Sequence, residues 1–141
     1  MYRILIVDDD PIERKAIRFL LNKYNFDLEI YEAENGKDAL NKIQDNHFDI
    51  LFTDVQMPLM NGLTLANEAH TLQPDINIIF FSAYDDFTYV KKALALHAIN
   101  YILKPIDPKE FKKTMSDVLK KIHDREEQTE NRLVTQELLN N

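Results

Sequence analysis

Asp8, Asp9 and Asp10 stand together directly after the apolar run Ile4–Val7, and another carboxylate, Asp54, directly follows Ile50–Thr53. Carboxylates gathered at two such run ends repel one another. At ~4 Å a pair costs about 1 kcal/mol in water-like surroundings and about 4 near a protein surface. Such a cluster persists where a hard cation sits between the acids or where one of them takes a proton. Mg²⁺ accepts a few carboxylates, a carbonyl and waters in octahedral array. A carboxylate held beside a cation is oriented to attack an electrophile such as a phosphoryl group. Charge then spreads over three equatorial oxygens, which need positioned positive charge and donors. Ser82, after Ile76–Phe81, offers a hydroxyl, and Lys104, before Pro105 and after Tyr101–Leu103, an ammonium. Asp10 reads differently: Asp10, Pro11 and Glu13 form an N-cap, a first-turn proline and a capping-box partner.

These side chains need elements that carry them to one place. Short apolar runs alternate along the chain with longer amphipathic stretches. Ile4–Val7 reads as a strand buried on both faces. Pro11–Lys23 reads as a helix with Ile12, Ala16, Phe19 and Leu20 as its apolar face. Leu28–Ala33 is a second strand, Lys37–Gln44 a helix opened by Asn35-Gly36, and Ile50–Thr53 a third strand. Leu63–Leu72 follows Asn61-Gly62 as a helix and stops at Pro74. Ile76–Phe81 is a fourth strand, Phe87–Leu96 a helix and Tyr101–Leu103 a fifth strand. Asp107-Pro108-Lys109-Glu110 opens a last helix with Phe111, Met115, Val118, Leu119 and Ile122 on its apolar stripe. Strand–helix units repeated five times imply an α/β fold, a parallel sheet with helices on both faces. In an open parallel sheet ligands bind beyond the carboxyl ends of the strands. That rim is where the acids, Ser82 and Lys104 fall.

Composition limits what else the chain can be. Its 141 residues carry no cysteine, two glycines and a net charge of −7, with an isoelectric point near 5.0. Without cysteine there is no disulfide scaffold, zinc–thiolate site or thiol nucleophile. The four histidines lie far apart and suggest no metal pair. No broad basic face is expected to hold nucleic acid. The longest apolar runs are four residues, against the ~20 of a spanning helix, so neither membrane insertion nor a signal peptide is expected, and the expected location is cytoplasmic. Residues 124–141 carry five acids and two bases without glycine or proline. They read as a charged helical extension or linker. Leu133, Val134, Leu138 and Leu139 near the end hint at a partner segment or coiled coil.

Four pieces taken together resemble a receiver domain of a two-component response regulator. They are Leu5-Ile6-Val7-Asp8-Asp9-Asp10-Pro11, Asp54 with Met57-Pro58 and Met60-Asn61-Gly62, Ser82-Ala83, and Lys104-Pro105. The resemblance covers about residues 2–122. It implies a doubly wound, flavodoxin-like (βα)5 fold with strand order 2-1-3-4-5, and a receiver over 1–123 with 124–141 leading to an effector domain outside this chain. It implies Asp54 as phosphoacceptor, and Mg²⁺ held by Asp8, Asp9, Asp54 and the Gln56 backbone carbonyl. Ser82 and Lys104 match the groups that contact the phosphoryl oxygens, Ser82 and Tyr101 the switch pair, and Pro105 the site of a frequently cis peptide. Gln56 and Tyr84 occupy positions that guide or block water, and Tyr84 is large enough to favour slow hydrolysis. The segment Ser82–Tyr89 is similar to receivers that precede an AraC-type helix-turn-helix DNA-binding domain. The implied partners are a sensor histidine kinase, a second copy through the fourth- and fifth-helix face, and DNA through the absent domain only.

Other readings share some of these residues. Asp8-x-Asp10 after a strand looks like the nucleophile motif of haloacid-dehalogenase-type phosphatases, but Pro11 and Ile12 stand where that motif continues otherwise. A nucleotide-binding doubly wound domain needs a glycine-rich turn, and only Gly36 and Gly62 exist. A stand-alone receiver acting as a protein-interaction switch shares every site residue and differs only beyond Ile122. The protein is read as a phosphoacceptor and not as an enzyme of turnover.

Overall fold

The computed structural model describes residues 1–83, 86, 88, 90–91 and 99–140. Five strands form one sheet: β1 (Tyr2–Val7), β2 (Leu28–Ala33), β3 (Ile50–Asp54), β4 (Asn77–Ser82) and β5 (Ile99–Leu103). Their order is β2-β1-β3-β4-β5, and every neighbouring pair is parallel. Helices α1 (Pro11–Lys23), α2 (Gly36–Asp45) and α3 (Gly62–Leu72) connect the early strands, and a C-terminal helix runs from Pro108 to Asn140. This is the flavodoxin-like receiver fold. The helix expected over Phe87–Leu96 lies largely outside the described residues.

The three central strands are apolar through their middles, Ile4–Val7, Ile50–Phe52 and Ile78–Phe81, because both faces are covered. Leu5, Val7, Leu51, Ile78 and Phe80 point into one layer with Ala39, Ile43, Leu65 and Ala66 of α2 and α3. Ile4, Ile6, Phe52, Ile79 and Phe81 point into the other with Ile17 and Leu21 of α1 and Phe111, Met115 and Val118 of the C-terminal helix. Asparagines open α2 and α3: Asn35 accepts from the Asp38 N–H at 2.8 Å, and Asn61 from the Thr64 N–H at 2.9 Å. Both satisfy donors that a helix start leaves unpaired.

Of the apolar face expected for α1 only Leu20 is buried. Ile17, Leu20 and Leu21 are buried, whereas Ile12 is 74% and Phe19 64% exposed. The helix carries two apolar arcs, and the arc that includes Ile17 and Leu21 faces the sheet. Ile12, Ala16 and Phe19 lie around a surface groove with Ile106 and Pro108. The capping box at its start is also not closed as expected. Asp10 caps as read, accepting from the Ile12 N–H at 2.9 Å, but its own N–H is donated to Asp8 Oδ1 at 2.8 Å rather than to Glu13.

In the C-terminal helix Phe111, Met115, Val118 and Ile122 are buried, and from His123 to Asn140 every residue is exposed. Two contacts meet its exposed part: Tyr2 donates to Glu126 at 2.8 Å, and Arg125 reaches the Asp75 carbonyl at 3.4 Å. No helix among the described residues is long and apolar enough to cross a membrane.

Candidate functional site

Strand register assembles the site. Val7 pairs with Thr53, so Asp8 and Asp54 come next side by side. Asp54 pairs with Phe81, which puts Ser82 one residue beyond. Ser82 pairs with Leu103, which puts Lys104 one residue beyond that. All four therefore meet at the carboxyl edge of the sheet, as the doubly wound topology requires.

Asp8 and Asp54 are buried, at 1% and 6% exposure, while Asp9 is exposed. One carboxylate oxygen from each of Asp8, Asp9 and Asp54 lies within 4.8 Å of the others. Lys104 Nζ donates to Asp54 Oδ2 at 3.3 Å and stands 3.7 Å from Asp8 Oδ2. Asp8 Oδ2 is buried and accepts no hydrogen bond among the described residues. A buried carboxylate oxygen left without a donor is costly. Burial first, then the neighbouring Asp54 and Asp9, push the Asp8 carboxyl up to about 6, against the pull of the Asp10 N–H and Lys104. An all-oxygen set of this kind with one orphaned oxygen fits a hard divalent cation. At Lys104 burial opposes the charged form, but the charges of Asp54 and Asp8 and the bond to Asp54 outweigh it and raise its pKa.

The loop after β3 is folded back onto Asp54. The Gln56 N–H is 3.3 Å from Asp54 Oδ1, and the Gly62 N–H donates to the Val55 carbonyl at 2.7 Å. The Thr53 hydroxyl donates to the Asp54 carbonyl at 2.9 Å. At the far end of the rim the Lys104 N–H donates to the Ser82 carbonyl at 2.9 Å, and the Lys104–Pro105 peptide is cis. The Tyr101 hydroxyl donates to the Ala83 carbonyl at 3.0 Å. Asp8, Asp9, Asp54, Gln56, Ser82, Lys104 and Pro105 are thus all on this rim, while Tyr101 lies inside β5 opposite Phe80 and reaches Ala83 through its hydroxyl. Tyr84 lies outside the described residues.

Two residues at the site went unnoticed in the sequence. Arg14 donates to the Asp8 carbonyl at 2.6 Å and to Glu32 at 3.1 Å, tying α1 and β2 to the acid turn. Its place one turn into α1 was the available signal. Asp86 accepts from Ser82 at 2.5 Å and from Gln56 at 2.6 Å. Only its spacing of four residues from Ser82 could have pointed to it.

Residues 4–116 match the model of the response regulator receiver domain family. The chain belongs to that family. This receiver is 38% identical over 109 residues to the transcriptional regulatory protein HptR of Staphylococcus aureus, covering 76% of this chain and 42% of that protein. It is 30% identical over 131 residues to an uncharacterised response regulatory protein of Staphylococcus epidermidis, covering 92% of this chain and 51% of the relative. The receiver therefore spans about half the length of the curated relatives it matches. Among solved structures it resembles the receiver domain of AraT, a response regulator from Geobacillus stearothermophilus, with a TM-score of 0.81, 35% identity, and 89% and 98% of the two chains covered. It also resembles a two-component transcriptional regulator AraC from Clostridium phytofermentans, with a TM-score of 0.74, 36% identity, and 85% and 97% covered. The reading of a receiver similar to those of AraC-type regulators agrees with these relatives.

Proposed function

We propose that this receiver takes a phosphoryl group on Asp54 and uses it to switch an output surface. The observation that carries the reading is the buried Asp54 carboxylate flanked by Lys104 at 3.3 Å and by the acids Asp8 and Asp9. A carboxylate oxygen of Asp54 attacks phosphorus, the bond from phosphorus to the donor nitrogen or oxygen breaks, and the donor leaves with that electron pair. Lys104 neutralises charge on the equatorial oxygens, and Ser82 donates its hydroxyl to one of them. Asp8, Asp9, Asp54 and the Gln56 carbonyl would hold Mg²⁺, which supplies positive charge to the same oxygens. The phosphorylated side chain carries roughly −1.5 to −2. Ser82 is drawn towards it and Tyr101 follows. The protein acts as a switch that modifies itself rather than as an enzyme turning over a substrate.

The donor is a sensor histidine kinase. The exposed Ile12 and Phe19 line a groove that reaches Ile106, Pro105 and Lys104, so an apolar landing surface is continuous with the acceptor site. We assign that groove to the donor protein. Residues 1–123 form the receiver, and 124–141 lead to an effector domain outside this chain. Two relatives bear names of transcriptional regulators, which supports transcription control through DNA binding by that domain. The fourth- and fifth-helix face serves a second copy, and the setting is the cytoplasm.

Incubation with acetyl phosphate and Mg²⁺ tests the core of this. Intact-mass measurement is expected to show one added phosphoryl group in the wild type and none in Asp54→Asn. Stoichiometric uptake by Asp54→Asn overturns the assignment. Mg²⁺ titration is expected to lose most of its affinity in Asp9→Asn. Phe19→Ser should slow transfer from the kinase and leave uptake from acetyl phosphate unchanged.

A further inference from the structure

We propose that Asp86 is a latch that withholds the Ser82 hydroxyl from the phosphoryl site, so that the resting chain must surrender this contact before it can hold a phosphoryl group tightly. The proposal rests on the reading of Asp54 as phosphoacceptor and Ser82 as a phosphoryl contact.

Asp86 is an acid at 8% exposure with both carboxylate oxygens in use. Oδ2 accepts from the Ser82 hydroxyl at 2.5 Å, and Oδ1 accepts from Gln56 Nε2 at 2.6 Å. A serine hydroxyl has one proton to donate. While it is given to Asp86 it is not available to a phosphoryl oxygen. Hydrogen bonds to an ionised acceptor are about twice as strong as neutral ones, so the resting contact competes directly with the phosphorylated one. Gln56 adds the connection to the acceptor. Its backbone N–H lies 3.3 Å from Asp54 Oδ1 while its side-chain amide holds Asp86. Asp54, Gln56, Asp86 and Ser82 therefore form one chain of contacts from the acceptor to the switch hydroxyl.

A carboxylate that serves a helix start receives backbone N–H groups, whereas these two bonds come from side chains of the β3 loop and the β4 end. New negative charge on Asp54 repels the Asp86 carboxylate at the same time as it attracts the Ser82 proton. Both effects drive Asp86 away from Ser82. The latch thus converts charge at Asp54 into release of the Ser82 hydroxyl by Asp86. A ligand shifts such an equilibrium only by its differential affinity for the two arrangements, and the Ser82–Asp86 bond is one term of that difference.

Beryllofluoride with saturating Mg²⁺, titrated into the full chain by calorimetry, reads the latch without chemistry. Asp86→Ala is expected to bind the mimic about tenfold more tightly than wild type, the size of one charged hydrogen bond. Gln56→Leu, an exposed position that should not disturb folding, removes the second hold on Asp86 and is expected to shift affinity the same way by a smaller factor. In a Ser82→Ala background the Asp86→Ala gain should vanish, because a latch acts only through that hydroxyl. Unchanged or weaker binding in both single variants overturns the latch, the weaker result meaning that Asp86 presents the hydroxyl instead. A gain that survives Ser82→Ala overturns it too. If the wild type binds no mimic at all, the Asp54 reading itself fails.

Discussion

Gly62 lies against the backbone of Asp54 so closely that a Cβ at position 62 would stand 2.0 Å from the Asp54 carbonyl oxygen. No real Cβ sits there, and the obstacle is backbone rather than a mobile side-chain end. The loop that carries Gln56 must close onto β3 at this point, with Gly62 also starting α3. Gly62→Ala is therefore expected to destabilise the fold by about 1–3 kcal/mol, as overpacking does, and to disturb uptake at Asp54. Gly36→Ala is the control. A Cβ there meets Met60, with Sδ at 2.6 Å and Cβ and Cγ at 2.9 Å; the thioether end can turn aside and the Cβ must give by a small shift of the loop, a milder clash than one at 2.0 Å with backbone. Urea midpoints for the two variants should differ clearly, with Gly62→Ala the less stable.

Asp8 gives the chain an unusual pH response. Its carboxyl is raised from 3.8 to about 6, chiefly by burial. The folded state holds this proton more tightly than the unfolded chain does. The stability it contributes is complete below about pH 4 and is lost as pH rises through about 6. Asp8→Asn removes the buried charge, so metal-free stability at pH 7 is expected to rise by about 1–2 kcal/mol. Mg²⁺ affinity should run the opposite way in the wild type. The proposed metal site needs ionised Asp8, so affinity should fall towards tenfold per pH unit below 6. Denaturant unfolding with and without Mg²⁺ at pH 4.5 and pH 7 checks both statements.

Much of this arrangement could be read before any coordinates. Strands buried on both faces have no choice but to be apolar, so Ile4–Val7 and Ile50–Thr53 announced themselves, and the acids after them followed. Periodicity chose the wrong arc of α1 except at Leu20, because Ile12, Ala16, Phe19 and Leu20 make as good a stripe as Ile17, Leu20 and Leu21. Which arc meets the sheet depends on how the helix is set down, and a single helix sequence does not contain that. Asp86 was hidden for a similar reason. Asp85 and Asp86 are the same residue type side by side, and spacing alone does not reveal that Asp86 bonds Ser82. The closeness of Gly62 to Asp54 depends on the return of the loop, which spacing alone does not reveal.

Exchanging residues on the two arcs of α1 separates core from surface. Ile17 is fully buried, and Ile17→Ala is expected to cost about 2–4 kcal/mol through lost contacts and a residual cavity. Phe19 is 64% exposed, and Phe19→Ser should change stability by no more than about 0.5 kcal/mol. Thermal or urea unfolding of both variants measures this directly. Equal costs would mean that the apolar face predicted from spacing, and not the one found, meets the sheet.

Lys104 restrains two carboxylates at once, Asp54 at 3.3 Å and Asp8 at 3.7 Å, and its ammonium lies 4.5 Å from the centre of the Phe81 ring. Lys104→Ala leaves both acids without this cation. The side chain is 26% exposed, so water screens part of the loss, and a metal-free destabilisation of about 1–2 kcal/mol is expected at pH 7. Added Mg²⁺ should restore more stability to this variant than to the wild type, because the ion replaces charge that the lysine had supplied. Beryllofluoride affinity should nevertheless stay below wild type, since the contact to the phosphoryl mimic itself is gone.

The outer part of the C-terminal helix depends on a contact at the opposite edge of the sheet. Beyond Ile122 the helix buries nothing, and exposed helices of this length are marginal in water. The Tyr2–Glu126 bond at 2.8 Å fixes its first exposed turn against β1. That bond, more than any other influence, pushes the Tyr2 hydroxyl up to about 12. Below pH 10 the tyrosine is neutral in both folded and unfolded chains, and its contribution is fully present. Between about 10 and 12 the unfolded chain releases the proton first, so the contribution falls with rising pH. Tyr2→Phe should leave global stability nearly unchanged at pH 7, because the pair is exposed, while hydrogen exchange of the amides from Arg125 onward becomes faster. Exchange rates in that stretch identical to wild type would mean that the Arg125 contact to Asp75 holds the helix without help from Tyr2.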